Sequence, residues 1–104
     1  MLEHAPASCL SAEIVSLCHP EEIWLYNAKT DLTGKITSFK ICIVADTADK
    51  LTLEQRIYLQ LDCPIPYDLT IYTPDEWAQA RDNPFAFART IVAKGRKLYG
   101  KTPQ

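Results

Sequence analysis

The side chains best suited to metal or redox chemistry are four cysteines and two histidines. A zinc site needs four nitrogen or sulfur donors at tetrahedral spacing, and His4, Cys9, Cys18 and His19 form the one set that can be drawn. The chain has no C-x-x-C pair, and these spacings fit no familiar zinc motif, so no zinc site is expected. Cys42 lies inside the run Ile41-Cys42-Ile43-Val44-Ala45 and reads as a small core residue. Thiols without a disulfide framework fit reducing surroundings, and a cytoplasmic location is expected. The aromatics Trp24, Tyr26, Tyr58, Tyr67, Tyr72, Trp77 and Tyr99 are enough for base stacking, but they are spread over several segments, as core and rim packing requires.

Charge is the second feature with chemical meaning. Residues 1–83 hold all 13 acids against six bases, a net of −7, whereas residues 84–104 hold five bases and no acid. Such a split can mark a face for an anion or an acidic partner. The simpler reading places Lys94, Arg96, Lys97 and Lys101 at a helix C-terminus, where cations suit the dipole. The overall net charge of −2 argues against a surface built for nucleic acid. No apolar run reaches the roughly 18–20 residues of a membrane span. Met1-Leu2-Glu3-His4 lacks the basic start of a secretory signal.

At 104 residues the chain predicts a single domain over 1–104, with its core over 10–99 and loose ends at the first seven and last four residues. Leu10, Ile14 and Leu17 share a stripe and predict a helix over Ser11–Cys18, ending before Pro20. Ile23–Tyr26 reads as a strand and the polar segment Asn27–Thr37 as a loop. Ser38–Ala45 reads as a central strand covered on both faces. Thr52-Leu53-Glu54-Gln55 matches a capping box opening a helix to Leu61. Tyr67–Tyr72 alternates, with Tyr67, Leu69 and Ile71 on one side and Asp68, Thr70 and Tyr72 on the other. Thr73-Pro74-Asp75-Glu76 combines a cap, a proline and first-turn acids. Asn83-Pro84 repeats the device ahead of a last helix that carries Phe87, Ala88, Ile91, Val92, Gly95, Leu98 and Tyr99 on one stripe. The expectation is an α+β, α/β-layered fold: a mixed sheet of three or more strands packed by about four helices.

These pieces, in this order, resemble the minimal nucleotidyltransferase family of the polymerase-beta-like superfamily over roughly residues 10–99. Ile23–Tyr26 is similar to the family's first strand, which ends in Gly-Ser. Ser38-Phe39-Lys40-Ile41-Cys42-Ile43-Val44 is similar to the strand that begins Ser-Asp-x-Asp. Ile65–Ile71 is similar to the strand bearing a third aspartate. Gly95-Arg96-Lys97-Leu98-Tyr99 is similar to the closing Gly-x-x-Leu-Tyr, which finishes a late helix in the family.

The resemblance implies a small nucleotidyltransferase-like fold and assigns Asn27, Ala28 and Ser38 to nucleotide-binding positions and Asp68 to the acidic triad. The two other acids of the triad fall on Phe39 and Ile41. Nucleotidyl transfer uses metal ions to neutralise a triphosphate and hold the displacement in line. Magnesium takes oxygen ligands, and Phe39 and Ile41 offer none. Asp46 and Asp49 follow the second strand at its far end, and Lys40 should face away from Phe39 and Ile41. Asn27 tolerates a left-handed backbone, so the turn at the Gly-Ser position is expected to survive, while Ala28 has no hydroxyl to give. The resemblance therefore implies a catalytically degenerate domain without a cofactor, acting as a binding or regulatory module. Its implied partner is a helical HEPN-type protein in a toxin–antitoxin-like pair, with homo-oligomer formation or nucleotide binding as further expectations. The alternative is an active enzyme with a non-standard magnesium site built on Asp68 and Asp31. Phe39 and Ile41 would then either fill the old cleft or leave it as an apolar patch.

Overall fold

In a computed structural model the structure describes residues 5–61, 63 and 65–100, with side chains from residue 11 onward. The chain is an α+β fold of four helices and a four-stranded mixed sheet: α1 (Ala5–Cys18), β1 (Glu22–Thr30), β2 (Ile36–Val44), α2 (Lys50–Gln60), β3 (Tyr67–Tyr72), α3 (Pro74–Arg81), α4 (Phe87–Lys94) and β4 (Arg96–Gly100). The strand order is β3-β2-β1-β4. β1 is antiparallel to both neighbours, and β2 runs parallel to β3 through the α2 crossover.

Alternation along the strands builds two apolar layers. Ile23, Leu25, Phe39, Ile41, Ile43, Leu69 and Ile71 face α1 and α2, where Ile14, Leu53 and Ile57 meet them. Trp24, Tyr26, Cys42 and Val44 face α3 and α4, packing on Trp77, Ala88 and Ile91. β2 is covered on both sides, as a continuous apolar run requires: Ile41 to Val44 are at most 1% exposed. Burial pushes the Cys42 thiol up to about 12, so it stays protonated in the core. Cys18, Cys42 and Cys63 are free thiols, whereas the side chains of His4 and Cys9 lie outside the described residues.

Four boundaries differ from the sequence expectation. α1 begins at Ala5 rather than Ser11, so residues 5–7, expected to be loose, are helical; residues 1–4 and 101–104, where the other expected loose ends fall, lie outside the described set. The supposed loop at 27–37 is mostly strand. β1 and β2 continue to a short turn closed by Asp31, whose carboxylate accepts from Thr33 N at 2.8 Å, Thr33 Oγ1 at 2.6 Å and Lys35 N at 3.1 Å. These bonds, the Thr33 hydroxyl first, hold the Asp31 carboxyl below its usual range.

The α2 cap is Asp49, not Thr52. Its carboxylate accepts from Thr52 N at 3.1 Å and from the Thr52 hydroxyl at 2.6 Å, a stronger acceptor placed three residues earlier. The last helix stops at Lys94. Ala86 stands at its start without a side-chain cap, and Asn83 closes the preceding turn by accepting from Phe85 N at 3.0 Å. Residues 96–100 form β4, and Ile23 lies opposite Tyr99. The α3 start agrees with expectation: Thr73 and Glu76 make a reciprocal capping box, with bonds of 3.2 and 3.0 Å. Glu76 also reaches Lys50 Nζ at 2.6 Å, and Lys50 is the first cause of its lowered carboxyl pKa.

Candidate functional site

Three of the four motif-position residues meet in one place. Asn27, Ser38 and Asp68 line a cleft of about 310 Å³, together with Lys29, Phe39, Lys40, Pro66 and Tyr67. β1 supplies Asn27 and Lys29, β2 supplies Ser38 and Lys40, and Asp68 stands at the start of β3. Ala28 lines a neighbouring cleft on the other side of β1. Asn27 has a left-handed backbone, φ 51°, but the turn expected there is absent, because β1 continues to Thr30. The register between β1 and β2 jumps from Tyr26↔Lys40 to Lys29↔Ser38, so Asn27 and Ala28 share the single partner position of Phe39. That is a bulge, and it turns two exposed residues out of the ladder.

Register decides what Asp68 can join. In the parallel β2–β3 pair Lys40 lies opposite Asp68, and Phe39 and Ile41 lie opposite Tyr67 and Leu69. Residues paired in register point to the same side, and neighbours along a strand to opposite sides. Asp68 therefore shares a face with Lys40 and Tyr26, while Phe39 and Ile41 look the other way, into the layer under α1 and α2. Phe39 is 4% exposed and Ile41 is fully buried. Phe39 stacks on Tyr67 at 5.8 Å, and Tyr67 on Tyr58 at 5.1 Å. Burial, with Tyr58 beside it, pushes the Tyr67 hydroxyl up to about 12. The two positions are filled by core side chains, and Lys40 stands on the side opposite to them.

A magnesium ion needs several oxygen ligands converging on one point. The three motif positions do not converge, and two of them are hydrocarbon. Asp31 is committed to the hairpin turn and does not line the Asp68 cleft. Asp49 caps α2 beyond the far end of β2, and Asp46 is exposed at that same end. Among the described residues no group of three or more His, Cys, Asp or Glu side chains lies close enough to hold a metal ion. The donor set does not fit the metal that the resemblance implies.

Sequence reasoning missed Lys29 and Lys40 beside Asp68, and Lys94 and Arg96 beside Ala28. The alternation of Asp68 with Leu69 pointed to the face, but cross-strand neighbours depend on register, which a local pattern does not carry. No known family, curated protein or solved structure matches the chain. Among the described residues no helix is long and apolar enough to cross a membrane.

Proposed function

We propose that the chain is a nucleotidyltransferase-like domain that has given up catalysis and works as a binding or regulatory module. The observation that supports the loss of catalysis is the burial of Phe39 and Ile41 in the layer under α1 and α2; the nucleotidyltransferase-like part of the reading rests on the sequence resemblance alone. An acid at Ile41 would sit inside a packed layer and not in a cleft. Among the described residues no second carboxylate lines the cleft beside the exposed Asp68.

The partner proposed from the resemblance is a helical protein of HEPN type. Phe85 is 96% exposed and Phe87 49% exposed at the entry to α4, apolar surface that a partner would cover. One incubation tests both halves of the reading. The chain is mixed with a HEPN-type protein, magnesium and radiolabelled ATP, then separated by size exclusion. A stoichiometric complex with no transferred label is expected, and Asp68→Asn should behave like the unaltered chain. Label transfer that Asp68→Asn abolishes would establish the active alternative, and a monomeric elution would contradict the partner.

A further inference from the structure

Two of the five bases of the C-terminal segment have local partners. The Arg89 guanidinium donates to the Arg81 carbonyl at 3.4 Å. Lys97 lies 3.9 Å from Glu22 and 5.5 Å from the centre of the Trp24 ring. Lys101 falls outside the described residues. Lys94 and Arg96 remain, both exposed, on either side of Gly95. The helix-dipole account covers Lys94, in the last turn of α4, but not Arg96, which belongs to a strand.

The junction sets the backbone from which the two cations project. Gly95 N–H donates to the Ile91 carbonyl at 2.7 Å, which occupies one of the free acceptors at the end of α4. A Cβ at residue 95 would lie 2.5 Å from that oxygen and 3.0 Å from the Leu25 carbonyl, so the chain turns against β1 only because no side chain is there. Lys94 and Arg96 then line one wall of a cleft of about 500 Å³, a size suited to a small molecule. Ala28 and Thr30 line the other wall.

That other wall is an open edge. β4 pairs with β1 from Glu22 to Leu25 and no further, so Asn27–Thr30 have a strand on one side only. The bulge at Asn27 and Ala28 disrupts the ladder there and turns the strand outward. The cleft thus combines two cations, the Thr30 hydroxyl, an open strand edge and the apolar Leu25 and Ile36, and no acid lines it among the described residues. The cleft at the opposite end of β4 is lined by Glu21 and Glu22 and would repel an anion.

We infer that the Lys94–Arg96 cleft binds a small organic phosphate without a metal ion. Arginine's planar fork can take two phosphate oxygens at once, lysine adds a point charge, and the floor accepts an apolar body. The cleft shares only Asn27 with the Asp68 cleft; Asn27 and Ala28 are positions to which the resemblance gives nucleotide binding, but the charge comes from Lys94 and Arg96, to which it gives no role. The inference stands or falls apart from the loss of catalysis.

The test is calorimetric titration in EDTA at low salt with inorganic phosphate and with phenyl phosphate, followed by amide chemical-shift mapping. Saturable binding of both is expected, tighter for phenyl phosphate, with shifts at residues 27–30 and 94–96. Lys94→Gln with Arg96→Gln should weaken it by about tenfold or more, because charge-assisted bonds are lost. Lys35→Gln, at the hairpin turn, should leave it unchanged. Absence of saturation, shifts confined elsewhere, equal affinity for the two probes, or an unaffected double variant would each overturn the proposal.

Discussion

Ile41→Asp is expected to unfold the domain, not to rebuild a metal site. Ile41 is fully buried between β1 and β3 in the layer under α1 and α2. A carboxylate there loses its water and meets no donor, only Leu25, Phe39, Ile43 and Leu69. A buried unpaired charge costs about 4 kcal/mol or more, against a total stability of about 5–15 kcal/mol for a domain of this kind. Thermal unfolding followed by circular dichroism should show Tm falling by about 15 °C or more, or no cooperative transition at all. Phe39→Leu, which keeps the site apolar, should cost only about 1–2 kcal/mol. An Ile41→Asp protein that melted within a few degrees of the unaltered chain would mean this face is open to water.

Trp77→Ala is expected to be nearly as damaging, by a different route. Trp77 is 2% exposed and holds α3 against the opposite face of the sheet, its ring 5.3 Å from Tyr72 and 6.0 Å from Trp24. Truncation leaves a ring-sized hole in a layer built from few side chains, a loss of about 3–5 kcal/mol. The Trp77 indole N–H is buried without an acceptor among the described residues. Trp77→Phe removes that orphan donor while keeping most of the contact, so it should cost much less than the alanine change. Urea titrations of the three proteins check the order. A Trp77→Ala midpoint equal to that of the unaltered chain would mean that α3 contributes nothing to the core.

Much of this architecture was legible where a local signal and the fold agree. The run from Ile41 to Ala45 announced a strand buried on both faces, the alternation of Tyr67–Tyr72 announced its two sides, and Thr73-Pro74-Asp75-Glu76 announced α3. The failures were of one kind. Ile91, Gly95 and Leu98 fall on a helical stripe, but Gly95 is packed against two carbonyls, and β4 exists because Arg96–Gly100 find β1 more than seventy residues away in sequence. The polar segment at 27–37 has no alternation to show, and its strands are made by pairing. The cap of α2 moved because Asp49 accepts two bonds where Thr52 could accept one.

The site was legible in the same partial way. Phe39 and Ile41 could be read as core filling or as an exposed apolar patch, and their burial excludes the exposed patch. That Asp68 faces the other side of the sheet follows from pairing Lys40 with Asp68, a contact no sequence pattern in β2 or β3 specifies. The cations at Lys94 and Arg96 were visible as composition, but their place depends on the turn at Gly95 and on where β4 stops along β1.

The most direct test of the central claim is a calorimetric titration of the purified chain with ATP, once in magnesium and once in EDTA. With Ile41 in the core and Asp68 on the opposite face, the account predicts no binding that requires magnesium: any isotherm in magnesium is no stronger than that in EDTA. Binding at micromolar strength that appears only with magnesium would contradict it, because oxygen ligands would then have to converge where the structure places side chains of the core.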